Sequence, residues 1–133
     1  MGKGLTMADT SKFWAWFDAT RDAAIVTEDG KVFHAAGFDL THTGGGCTAW
    51  QRAIEGTEWL IWIATDDAGH SLSAEEIEAG GSWFTWVIHS EDSSVSQAIE
   101  SRSAYAAALI GDNMSDIVKA GRIDTLGMTY DPY

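Results

Sequence analysis

The only cysteine of the chain, Cys47, follows three glycines in the stretch THTGGGCTAW, with His42 five residues before it. A thiolate close to backbone N–H groups can attack a carbonyl while those groups hold the developing oxyanion, and His42 or His34 would take the thiol proton. Against a cysteine-dependent hydrolase or transferase of that kind, Cys47 leads into Thr-Ala-Trp. That places it at the start of a strand rather than at the positive end of a helix, and nothing in the sequence activates it. A buried cysteine also serves as a small hydrophobe. The glycines themselves lack both the Lys-Ser/Thr ending of a phosphate loop and the G-x-G-x-x-G spacing of a dinucleotide site. They read as a bend, a bulge or a closely approached backbone.

Asp66, Asp67 and His70 in TDDAGH are hard or mixed metal ligands within five residues of one another. Asp-Asp-Ala-Gly after a strand is also ordinary turn chemistry, and no alternating aspartate series leads to a twelfth-position glutamate as in an EF-hand. No metal or other cofactor is therefore expected, and Asp66, Asp67 and His70 stand as the alternative.

Charge gives the strongest global signal. Eight Lys and Arg face twenty Asp and Glu, for a net charge of -12. Direct nucleic-acid binding is excluded on this ground, because it depends on basic side chains displacing phosphate counterions. Between Arg52 and Arg102 there is no Lys or Arg, while Glu55, Glu58, Asp66, Asp67, Glu75, Glu76, Glu78, Glu91, Asp92 and Glu100 fall inside that window. Such a surface either keeps the protein soluble or docks on a basic partner. Trp83, in Trp83-x-x-Trp86, is the candidate aromatic anchor within the acidic rim. Trp59 and Trp62 are expected in the core. A third class, a small-molecule pocket, would be lined by Trp50, His42 and the glycines.

Hydrophobic residues make up 45% of 133 residues, with seven Trp, five Phe and three Tyr, enough for one core and one domain spanning 1–133. Residues 1–8 are expected to form a flexible leader, with Met7 as a second possible start. No run reaches the eighteen or so apolar residues of a membrane helix, and MGKGLTMADT has no apolar signal region. With a lone cysteine, this predicts a cytoplasmic protein.

Asp9 or Thr10 is placed to cap a helix through SKFWAWFDATRD, with Phe13, Trp14 and Phe17 on one side. Asp29-Gly30, between Ile25-Val26 and Val32-Phe33, predicts a β-hairpin. CTAWQRAI and WLIWIATDD predict a second, with Thr48, Trp50, Arg52 and Ile54 on one face of its first arm and a second arm apolar on both faces. Ser73 and Glu76 mark a short helix ending at Gly80-Gly81, and SWFTWVIH is a strand with Trp83, Thr85 and Val87 opposed to Phe84, Trp86 and Ile88. Ser94 and Gln97 predict a helix to Ile110, with Val95, Ala98, Ile99, Ala106 and Leu109 or Ile110 buried and Gly111 as its stop. Asn113 to Ala120 adds a short helix closed by Gly121, and the tail RIDTLGMTYDPY a strand or arm. The expected fold is α+β: a mostly antiparallel sheet with two to four helices packed largely on one side.

The segment TGGGCTAWQRAIEGTEWLIWIATDDAGHSLS resembles small uncharacterised phage and prophage proteins that carry a Gly-Gly-Gly-Cys-Thr-Ala element, a hairpin and a strand ending in Thr-Asp-Asp. Small size and acidity are similar to phage-encoded inhibitors of host defence such as anti-CRISPR proteins. The resemblance implies an accessory protein of a mobile element that acts by binding. The expected function is a small acidic inhibitor that blocks a basic, nucleic-acid-binding surface of a host protein, acting as a monomer or homodimer.

Overall fold

The computed structural model describes residues 7–44, 47–65, 81–92 and 94–127. Two helices, α1 (Met7–Ile25) and α2 (Glu28–Ala35), precede four strands, β1 (Asp39–Gly44), β2 (Cys47–Ala53), β3 (Trp59–Ala64) and β4 (Trp83–His89). A short β5 (Ile99–Ser101), a long α3 (Ala104–Lys119) and a 3₁₀ turn (Ile123–Leu126) follow. The strands form one antiparallel sheet in the order β1-β2-β3-β4-β5. The helices pack on one side of it: α3 crosses β3 and β4 and meets α2, while α1 reaches α2 and β1. The expected α+β class is therefore observed.

Strand periodicity explains the core. Trp50 and Ile54, Ile61 and Ile63, and Trp83, Thr85 and Val87 alternate along β2, β3 and β4 and are almost wholly buried under the helices. The opposed residues Leu60, Trp62, Phe84, Trp86 and Ile88 are only half-buried. This differs from the expectation that β3 is covered on both faces, and Trp59 and Trp62 are half-buried with it. Gly44, the first of the three glycines, ends β1 and pairs with Cys47 at the start of β2, with a register shift between His42 and Gly44. The shift falls ahead of Gly45 and Gly46, and β1 is an element that the sequence does not predict.

Asp29-Gly30 makes no hairpin. Thr27 is the N-cap of α2, its hydroxyl accepting the Gly30 N–H at 3.0 Å, and Glu28 and Asp29 favour the positive end of the helix. Gly30 is there for close approach: a Cβ would collide with the Ala24 carbonyl at the end of α1. At the other end, Gly37 has φ +89°, its N–H bonds the His34 carbonyl, the Phe38 N–H bonds the Phe33 carbonyl, and the two phenyl rings pack edge-on. This Schellman closure turns the chain into β1.

The helix expected from Ser94 is also displaced. Residues 94–98 run beside β4, joined by the Ile88–Val95 bridge, and α3 starts ten residues on, where the Ser103 hydroxyl accepts the Ala106 N–H at 3.0 Å. Its buried side is Ala104, Ala107, Ala108, Gly111, Met114, Ser115 and Val118, while Ile99 and Leu109 are exposed. Gly111 does not stop the helix. It lets α3 approach Phe38 and Ile61, and a single helix continues to Gly121, where φ +73° ends it as expected.

α1 begins at Met7, before the expected cap, and buries Phe17 while Trp14 and Trp16 remain exposed. Met1 to Thr6, the expected helix at 73–79 and the tail from 128 lie outside the described residues. No described helix is long and apolar enough to cross a membrane.

Candidate functional site: an acidic end of the sheet

The β2–β3 turn, Ile54 to Glu58, is built by Thr57. Its backbone N–H and its hydroxyl both bond the Ile54 carbonyl, and the hydroxyl accepts the Trp59 N–H at 3.1 Å. Gly56 supplies φ +79° at the tip. The turn presents Glu55 and Glu58 to solvent beside Glu91 and Asp92, because the Ser90 N–H bonds the Glu58 carbonyl at 2.9 Å. Two pairs of carboxylates from separate segments thus lie at one end of the sheet.

His89 pins them. Its Nε2 lies 3.2 Å from Glu58 Oε2, and its Nδ1 accepts the backbone N–H groups of Glu91 and Asp92 at 3.1 and 3.2 Å. That pattern belongs to the Nε2–H tautomer. Asp92 Oδ1 also stands 3.4 Å from Nδ1, but the Nδ1 lone pair is already engaged by the two N–H donors, so this is proximity and not a hydrogen bond. With both nitrogens occupied and the ring edge-on to Trp59, 4.7 Å between centroids, His89 organises the turn and is not free to act as a base. The Asp92 carboxyl is held below its ordinary value of 3.8, chiefly by hydrogen bonds from the Ser94 backbone N–H and hydroxyl.

Beside Glu55 the acidic surface continues onto α3. A cleft of about 330 Å³ is lined by Arg52, Glu55, Asp112, Ser115, Asp116 and Lys119, among others. Arg52 is committed within the protein: it bonds the Ala36 carbonyl at 2.8 Å, Asp112 at 2.8 Å and the Ser115 hydroxyl at 3.2 Å, and lies over the Phe38 ring. Six exposed carboxylates, Glu55, Glu58, Glu91, Asp92, Asp112 and Asp116, therefore share this end with Arg52, which is already paired, and with Lys119. Asp112 and Asp116 lie outside the base-free window that drew attention in the sequence. Their i, i+4 spacing, which sets them on one helix side, was the signal available.

The remaining candidates fare differently. Trp83 is fully buried in the core cluster, so it is no surface anchor. His42 packs edge-on against Phe13 at 4.8 Å and near Phe17, which is a role in seating α1. The side chain of Cys47 and residues Asp66, Asp67, His70, Glu75, Glu76 and Glu78 lie outside the described residues. Among the described residues, no group of three or more His, Cys, Asp or Glu could hold a metal ion. Comparison with family models, curated proteins and solved structures found no match.

Proposed function

We propose that this protein is a small acidic inhibitor that binds a basic, nucleic-acid-binding surface of a host protein, in the manner of a phage or prophage anti-defence factor. The supporting observation is the acidic end of the sheet, where six exposed carboxylates from three separate segments converge while Arg52 is held inward. Carboxylates carried on ordered turns and on a helix concentrate negative charge at one place, and such concentration raises association rates and selects basic partners. The acid-rich composition, with no Lys or Arg between Arg52 and Arg102, supports the same reading.

The test uses paired baits on a bacterial host lysate, followed by mass spectrometry. One bait is the wild-type protein, the other carries Glu55→Lys, Glu91→Lys and Asp116→Lys, positions whose side chains make no hydrogen bond or ion pair among the described residues. The wild type should retain a basic nucleic-acid-binding protein that the variant loses. That complex should weaken as salt rises and compete with nucleic acid. A complex insensitive to salt and to all three reversals would end the reading.

A further inference from the structure

The face of the sheet opposite the described helices carries an apolar groove of about 340 Å³, lined by Phe84, Trp86, Val95, Ser96, Ala98 and Thr65. Its floor is formed by Phe84 and Trp86, alternate residues of β4. Its wall is the run Val95 to Ala98, fastened to β4 by the Ile88–Val95 bridge, by the Ser96 N–H to the Val87 carbonyl and by the Val87 N–H to the Ser96 hydroxyl. Between Ile88–Val95 and Thr85–Ile99, four steps of the outer strand oppose three of β4. The extra residue is a β-bulge, and bulges re-aim side chains beside sites. The small side chains of Ser96 and Ala98 leave the room that the groove occupies.

The floor is ordered before anything binds. Trp62 stands edge-on to Trp86, 6.1 Å between centroids, and its indole N–H bonds Gln51 Oε1 at 2.8 Å. Carboxylates mark both ends: Asp92, whose Oδ1 accepts the Ser94 N–H, next to Glu91 and Glu58, and at the other end Glu100, paired in register with Phe84. An occupant matched to this groove has an apolar centre and cationic flanks. A second copy of this chain fits badly, because any two-fold pairing of these faces sets carboxylates against carboxylates.

We infer that the groove receives one large apolar side chain of the partner polypeptide, from a segment carrying Lys or Arg on both sides of that residue. The four steps from Phe84 to Ile88 span roughly 13 Å, so in an extended segment the cations lie about two or three residues from the anchor. The inference rests on the proposed function and adds to it where the partner's apolar contact is made.

The experiment follows the tryptophan indole N–H signals of ¹⁵N-labelled protein during titration with short peptides. The first peptide has a central leucine with lysines on both sides, the second replaces leucine by alanine, and the third replaces the lysines by glutamate. With the first, the Trp62 and Trp86 signals should shift while those of Trp50 and Trp83 stay in place. The alanine peptide should bind about tenfold or more weakly, and the glutamate peptide should not bind. Ala98→Leu fills the groove at an exposed position and should abolish the preference for leucine over alanine, with its amide spectrum reporting that the fold is kept. Equal binding of the leucine and alanine peptides, or shifts confined to Trp14 and Trp16, would overturn the groove while leaving electrostatic docking standing. Absence of binding by every lysine peptide would overturn both.

Discussion

The two faces of the sheet are made by alternate residues of the same strands, yet they carry different duties. On the covered face Trp50, Trp83, Ile61, Ile63 and Val87 are packed to exclusion of solvent beneath α2 and α3. On the open face Leu60, Trp62, Phe84, Trp86 and Ile88 remain half-buried. The indole N–H groups mark the contrast. Trp50 Nε1 is fully buried with no hydrogen-bond partner among the described residues, whereas Trp62 Nε1, on the open face, bonds Gln51. The covered face tolerates an unmade hydrogen bond because apolar packing there outweighs it. On the opposite face the Trp62 indole is held both by Gln51 and by the edge-on Trp86 ring.

Substitution at the paired tryptophans gives the largest separation between the faces. Trp83→Ala should cost about 3–5 kcal/mol in urea unfolding, whereas Trp86→Ala should cost no more than about 2 kcal/mol. Equal losses would mean that the two faces are packed alike. Overfilling sharpens the contrast. Gly111→Val brings a side chain against Phe38 and Ile61, where even a Cβ would stand 3.1 and 3.3 Å away, and should lower stability by about 1–3 kcal/mol. Ala98→Val on the open face should leave the unfolding midpoint nearly unchanged.

The start of α3 tests the covering element itself. Ser103→Ala removes the cap and should cost about 1 kcal/mol, while Gln97→Ala, at the site of the apparent capping box, should cost the helix nothing. Circular dichroism with chemical unfolding would distinguish them. The smallest effect concerns pH. The Asp92 carboxyl is depressed in the folded state, so its contribution is present above the unfolded value and lost as pH falls through the folded one. The stability difference between wild type and Asp92→Asn should be constant near neutrality and shrink below about pH 4. A difference that does not shrink as the pH is lowered would remove Asp92 from the ordering of the acidic turn.

These boundaries show where the sequence was legible. Wherever period-two alternation met β-branched and aromatic residues, as in CTAWQRAI and SWFTWVIH, both the strand and its buried face were readable. Local signals failed where tertiary contact chose between two uses of one motif. Asp29-Gly30 suits a turn, but here Gly30 admits the end of α1, and Val26, which a hairpin would have paired, is 67% exposed. Ser94-x-x-Gln97 has the form of a capping box, but Ser96 pairs with Val87 and holds the chain extended. At the acidic end, Glu58, Glu91 and Asp92 were visible as part of a base-free window. Asp112, Asp116 and the inward commitment of Arg52 became visible only once α3 was laid across the sheet, since Arg52 and Ser115 are 63 positions apart.

The order β1-β2-β3-β4-β5 is also the order of synthesis, and that bears on how the chain reaches its native state. Every strand finds its partner in its sequence neighbour, so the meander can zip by successive short closures with a modest search. The docking of α3, which draws Asp112 and Ser115 back to Arg52, is the long-range step and is expected to form late. Stopped-flow measurements should find that Arg52→Met chiefly accelerates unfolding, while disruption of the Gly56 turn chiefly slows folding. The salt-bridged arginine would then act as a latch on the finished molecule, setting how long it lasts once folded instead of how quickly it forms.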